Sequence, residues 1–127
     1  VVASAAVDSA EIGLEPVYPH TNPERTRLLA PSEIEEALQT LPGWEAKHGV
    51  LFKTFTAGSF RDAVALIVRI SYPLERLDHH PEIRNIYGKV YVGFTTYDQG
   101  KQITALDVET ALAVEAALQG EVTGGGH

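Results

Sequence analysis

Cysteine is missing from all 127 residues, so neither a disulfide framework nor thiolate chemistry is open to this chain. Positive charge is scarce: 10 Lys and Arg stand against 17 Asp and Glu, a formal net charge of -7 at pH 7. The basic residues are scattered, and nucleic acids are polyanions, so direct binding to DNA or RNA is not expected. No apolar stretch approaches the roughly 20 residues that span a bilayer. The opening VVASAAVDSAEIG lacks the basic start and apolar middle of a signal peptide, so none is expected. A cytoplasmic setting without membrane contact fits these absences. Metal-ligand patterns are missing too: no cysteine, no HExxH and no i, i+4 histidine pair, so neither a metal nor a cofactor is expected.

What is present suits one domain with a real core, since 44% of the residues are hydrophobic. Residues 1–30 show no sustained period. Their EPVYPHTNPERTR reads as an extended or disordered arm, with the alternative that it lies along a partner. Residues 31–119 form the expected domain, and residues 120–127 read as a flexible tail in which His127 has no role.

Within the domain, PSEIEEALQTLPGW predicts a short helix. Ser32 and Glu35 have capping-box spacing, Ile34, Ala37, Leu38 and Leu41 form the apolar stripe, and Pro42-Gly43 is the stop. WEAKHGVLFKTFTA reads as a hairpin turning at His48-Gly49. SFRDAVALIVRISYPLERLD predicts the main helix, with Ser59 as N-cap and Phe60, Ala63, Ile67, Ile70, Leu74 and Leu77 inward. Pro73 falls inside it and predicts a kink. IRNIYGKVYVGFTTY gives two further strands joined at Tyr87-Gly88, with Val90, Val92, Phe94 and Thr96 on one face and Tyr91, Gly93, Thr95 and Tyr97 on the other. The last helix, TALDVETALAVEAAL, opens on a Thr104/Asp107 capping box and turns Val108, Ala111 and Leu112 inward. The expected class is α+β, in the order helix, hairpin, helix, hairpin, helix. Four antiparallel strands carry helices on one face and leave the other open to a ligand or partner.

His79-His80-Pro81 is the chemistry-bearing motif. Pro81 pushes His80 into extended backbone, so the long helix must end near His79. Adjacent residues in extended chain point to opposite sides, so the two imidazoles need not share a pocket. A helix C-terminus favours the protonated imidazole, which makes His79 or His80 a candidate proton donor. The plain alternative is that one caps helix carbonyls and the other is a satisfied, partly buried histidine.

The stretch LERLDHHPEIRNIYGKVYVGFTTYDQGKQITALD resembles the pterin-4a-carbinolamine dehydratase family, with similarity over about residues 32–118. His-His-Pro after a long helix, the aromatic at Tyr87, the Thr-Thr before an acidic residue and the Leu-Asp opening the last helix fall at the family's spacing. The resemblance implies a homodimer or homotetramer. It also implies a reaction in which an acid protonates the leaving 4a-hydroxyl of a tetrahydropterin and a base takes the ring-nitrogen proton. Two of the family's three histidines carry over as His79 and His80; Glu75, Asp78, Pro81, Thr96 and Asp107 also match. Asp107 has a rival role as the capping carboxylate of the last helix.

The third histidine does not carry over. The family's Thr-Thr-His is Thr-Thr-Tyr here, placing Tyr97 at that position. Tyr91 stands where the strand commonly has histidine, and Ile83-Arg84 where an aromatic pair is common. An imidazole (pKa about 6.5) exchanges protons at neutral pH, whereas a phenol (about 10) only donates weakly. Losing such a group typically costs roughly 10²–10⁴-fold in rate. If Tyr91 and Tyr97 share a strand face, both changes act on one pocket, and Arg84, Tyr91 and Tyr97 become candidate partner contacts. Pterin dehydratase-like proteins with an incomplete histidine set include a group associated with α-carboxysomes that look like Rubisco assembly factors. The resemblance therefore implies a non-catalytic assembly factor or chaperone for Rubisco subunits, associated with the carboxysome. The alternative it leaves open is a slow dehydratase using His79 and His80. A protein cofactor that dimerises a transcription factor is a third option.

Overall fold

The computed structural model describes residues 24–125, so the three prolines of the arm at Pro16, Pro19 and Pro23, together with His127, lie outside the described residues. The main helix begins where Ser59 stops being extended: its hydroxyl accepts the Asp62 amide at 3.0 Å and caps α2 (Phe60–Leu77). Pro73 is buried within α2, which continues through it to Leu77. Two short turns set the strand pairs. His48 (φ 54°) and Gly49 (φ 78°) are both left-handed, the two-residue turn that matches strand twist, and they join β1 (Glu45–Lys47) to β2 (Val50–Thr56). Tyr87, also left-handed, turns β3 (Glu82–Ile86) into β4 (Lys89–Phe94).

The four strands pair antiparallel in the order β1-β2-β4-β3, so each hairpin keeps an outer edge and the hairpins meet at β2 and β4. Val90, Val92 and Phe94 on the inner face of β4 are fully buried with Leu51, Ile70, Leu74, Ala111 and Val114. Trp44 closes this core, edge-on to Phe55 at 6.1 Å and stacked on Phe94 at 6.0 Å. Its indole N–H donates to Glu115, which also takes the Lys53 ammonium at 2.7 Å. The opposite face carries Phe52, Thr54, Tyr91 and Arg84.

Several expected positions are corrected. α1 spans Pro31–Leu38, so Ser32 lies inside the helix; Glu33 instead reaches back to the Ala30 amide at 2.8 Å. Phe60 is 59% exposed, because the first residue of α2 projects toward the Tyr87 turn and away from the core. Leu112 is exposed, and Leu106 and Val114 take the inner places on α3 (Ala105–Gly125). That helix is apolar on most sides, so spacing does not select one face. α3 also continues beyond Leu118 into the stretch read as a tail. At the other end, Leu28 bridges to Thr104 and Arg27 accepts the Ala105 amide, which ties residues 27–29 to the start of α3. No helix among the described residues is long and apolar enough to cross a membrane.

Candidate functional site

α2 ends in a way that sends the two histidines apart. Asp78 adopts left-handed backbone (φ 53°, ψ 47°), a conformation that aspartate tolerates better than most residues. Its amide donates to Glu75 O, and the His79 amide donates to Leu74 O at 3.2 Å, the paired bonds of a Schellman cap. The chain then extends through His80 and Pro81 into β3. His79 turns inward, only 5% exposed, and its ring stacks on Phe94 at 5.8 Å and 18°. His80 turns outward, with its Nε2 3.2 Å from Glu75 Oε2 and both side chains largely in solvent. The matched residues Asp78 and Pro81 thus act as backbone devices: one caps the helix, the other holds the extension.

His79 is sealed by a carboxylate. Its Nε2 lies 2.6 Å from Asp107 Oδ1, with both side chains buried. Asp107 Oδ2 accepts the Thr96 hydroxyl and the Thr104 amide, each at 2.8 Å. The Thr96 and Thr104 hydroxyls are 2.7 Å apart, which closes the network. No buried side-chain polar atom among the described residues lacks a partner. The capping role of Asp107 is present, since one oxygen takes the Thr104 amide at the start of α3, while the other contacts the imidazole. Phe94 and Thr104 complete the arrangement and were not singled out as site residues. Phe94 shows in the sequence only as an inward strand residue, and the reach of Thr104 to Thr96 depends on tertiary placement.

Tyr97 is not on β4. The strand ends at Phe94, Thr95 donates to Gly49 O, Thr96 bridges to Gln102, and Tyr97 opens a 3-10 turn over Tyr97–Gln99, where it is 62% exposed. The expectation that Tyr91 and Tyr97 share a strand face is therefore overturned, because extended backbone stops before alternation reaches Tyr97. Tyr91 belongs to the open sheet face. Its ring stacks on Phe52 at 5.8 Å, with the Arg84 guanidinium 4.5 Å above it. It lies over Gly93, where an added Cβ would sit 2.6 Å from the Tyr91 hydroxyl oxygen. With Thr54, Arg84, Ile86 and Lys89 it lines a groove of about 310 Å³. Arg84 also pairs with Glu82 at 3.1 Å. Tyr87 is 82% exposed at its turn. No group of three or more metal-ligating side chains occurs among the described residues.

The family model described as "Pterin 4 alpha carbinolamine dehydratase" matches residues 27–117. The chain belongs to that family. A relative from Opitutus terrae, provisionally named a pterin-4-alpha-carbinolamine dehydratase, is 41% identical over 88 residues, covering 69% of this chain and 91% of its own length. A relative from Prochlorococcus marinus with the same provisional name is 40% identical over 90 residues, covering 71% and 93%. Among solved structures, the "transcriptional coactivator/pterin dehydratase" from Brucella melitensis matches with a TM-score of 0.66 and 31% identity, over 72% of this chain and 98% of that one. The α+β fold with its four-stranded antiparallel sheet is therefore the fold of a pterin dehydratase structure. In this family member the pieces of the motif sit in two environments: His79, Thr96 and Asp107 in the core, and Glu75, His80 and Tyr97 at the surface.

Proposed function

We propose that this pterin dehydratase family member is a non-catalytic assembly factor, acting as a homo-oligomer on a protein client, with Rubisco as that client. The observation that carries the first half is the tyrosine at the third histidine position, Tyr97, exposed in its 3-10 turn. Expulsion of a 4a-hydroxyl needs a donor and a base directed at one substrate. Tyr97 offers a phenol where an imidazole would exchange protons at neutral pH. Of the positions matched to the family's histidines, only His80 presents an imidazole to solvent. The choice of Rubisco rests on the resemblance to α-carboxysome relatives with an incomplete histidine set. The open sheet face with Tyr91 and Arg84 supplies a surface suited to a protein.

The test is turnover of a 4a-hydroxytetrahydropterin against the uncatalysed rate. The native chain is expected to give no acceleration, and Tyr97→His a gain toward the roughly 10²–10⁴-fold range of a general acid–base group. Rapid turnover by the native chain would overturn the non-catalytic reading. The client is tested separately, by binding to purified Rubisco and by the yield of assembled enzyme on co-expression; no effect on either removes Rubisco. A second reading, a slow dehydratase, draws on the His80–Glu75 pair and the exposed Tyr97 phenol, which could act from the surface. Turnover that falls with His80→Ala would favour it.

A further inference from the structure

β1 stands at the edge of the sheet, and among the described residues no strand pairs with its outer side. In a two-residue hairpin the flanking pair, here Lys47 and Val50, exchanges both backbone hydrogen bonds, and so does the pair two places on, Glu45 and Phe52. The N–H and C=O of Ala46, between them, therefore point outward. An unpaired edge of this kind is a template for one more strand.

Beside that edge a groove of about 670 Å³ opens between β1 and α1. It exists because α1 does not close on the sheet. None of its eight residues is fully buried, and Ile34 and Leu38, one turn apart, are only half covered. With Leu29 and Ile103 they give the groove apolar walls, and Ala46 lies against them with a side chain too small to fill the space. A helix beside an unpaired strand, with an apolar hollow between them, is a geometry that holds extended peptides. Main-chain bonds run to the strand, and alternate side chains enter the hollow.

Charge selects the occupant. Glu45 and Lys47 flank Ala46, both are exposed, and neither has an ion-pair partner among the described residues. An added antiparallel strand that complements them sets an acid opposite Lys47, a base opposite Glu45, and a residue between them whose side chain shares the groove face with Ala46. A second copy of β1 would match the charges, since Glu-Ala-Lys is its own antiparallel complement. It would bring only another Ala46 to the groove and leave the hollow empty. We propose that the edge of β1 takes up, as a fifth strand, an extended segment of a partner protein that reads acid, large apolar, base from its N-terminal end, with the apolar side chain seated between β1 and α1. This goes beyond the protein-binding reading above by naming the kind of segment held, and it depends neither on turnover nor on Rubisco.

Titration of the isotope-labelled full chain with the blocked peptide Thr-Thr-Glu-Phe-Lys-Thr-Thr, followed by amide resonances, tests it. Saturable binding is expected, with the largest shifts at Ala46, Ile34 and Leu38. Replacing the peptide's Phe by Ala should weaken binding at least about tenfold, because a buried aromatic is lost. Exchanging its Glu and Lys should weaken it at least about threefold, because both cross-strand pairs become like-charged. In the protein, Ala46→Leu fills the groove and should abolish the shifts; should that variant fail to fold, the peptide series decides. No saturable binding up to millimolar peptide overturns the proposal. So do shifts confined to other surfaces, or equal binding of the three peptides. If Lys47→Glu moves the native chain to a smaller species in sedimentation, the edge belongs to a second copy and the proposal is likewise overturned. Peptide binding without Rubisco binding would remove the client and leave the segment standing.

Discussion

Asp107 divides its carboxylate between two elements, and that division defines the residue scale of this protein. One oxygen completes the start of α3 and the other holds His79 at 2.6 Å. Removing it strands the Thr104 amide in a buried site and takes one partner each from the Thr96 hydroxyl and the His79 ring. Asp107→Ala is therefore expected to cost about 1–3 kcal/mol, as for buried polar groups left without a partner. Urea denaturation followed by the fluorescence of Trp44, the only tryptophan, measures it. A loss below about 1 kcal/mol would show that the network does not hold the core together. His80→Ala, at an exposed position, should change stability by less than about 0.5 kcal/mol. The contrast between two adjacent histidines was partly legible. Extended backbone after a helix implied opposite directions, but which imidazole would be buried depended on Phe94 and Asp107 closing over His79.

At the scale of elements, the caps and turns account for most of the architecture. α1 starts at Pro31 because Glu33 returns to the Ala30 amide. That hydrogen bond, and then Arg27 beside it, hold the Glu33 carboxyl below the ordinary glutamate range. A depressed folded pKa means a stabilising contribution that is present above the unfolded value and lost as pH falls through the folded one. The difference in thermal stability between the native chain and Glu33→Ala should thus be largest near neutral pH and narrow in acid; a difference that grows in acid would contradict this cap. The β1–β2 turn is more demanding. Gly49 is left-handed, and a Cβ there would lie 2.2 Å from the Lys101 carbonyl oxygen. Gly49→Ala should cost more than about 1 kcal/mol, a fall in Tm of at least about 4 °C by calorimetry. The His48-Gly49 pair announced its turn from sequence, since only such residues take those angles cheaply. The α1 cap did not, because Ser32–Glu35 has capping spacing and only the placement of Pro31 excludes it. The inward face of α3 was also illegible, as a helix apolar all round has no preferred side until a sheet is laid against it.

For the whole molecule, an acidic surface and an open sheet face leave recognition to particular patches. The groove beside Tyr91 combines two cations, Arg84 and Lys89, with an aromatic floor pinned by Phe52 and by the space above Gly93. If that face contacts the proposed client, the double variant Arg84→Glu/Lys89→Glu should weaken binding to Rubisco at least tenfold and leave the sedimentation of the free protein unchanged. Equal binding would move the client elsewhere.

The α+β class with antiparallel strands, the two capped helix starts at Ser59 and Thr104, and the family were determined by sequence, because turn residues, caps and hydrophobic period act over a few positions. The fate of the histidine motif was decided only by tertiary structure. Whether an imidazole meets solvent or a buried carboxylate depends on residues 28 positions apart in the chain, and local spacing carries no information about that meeting.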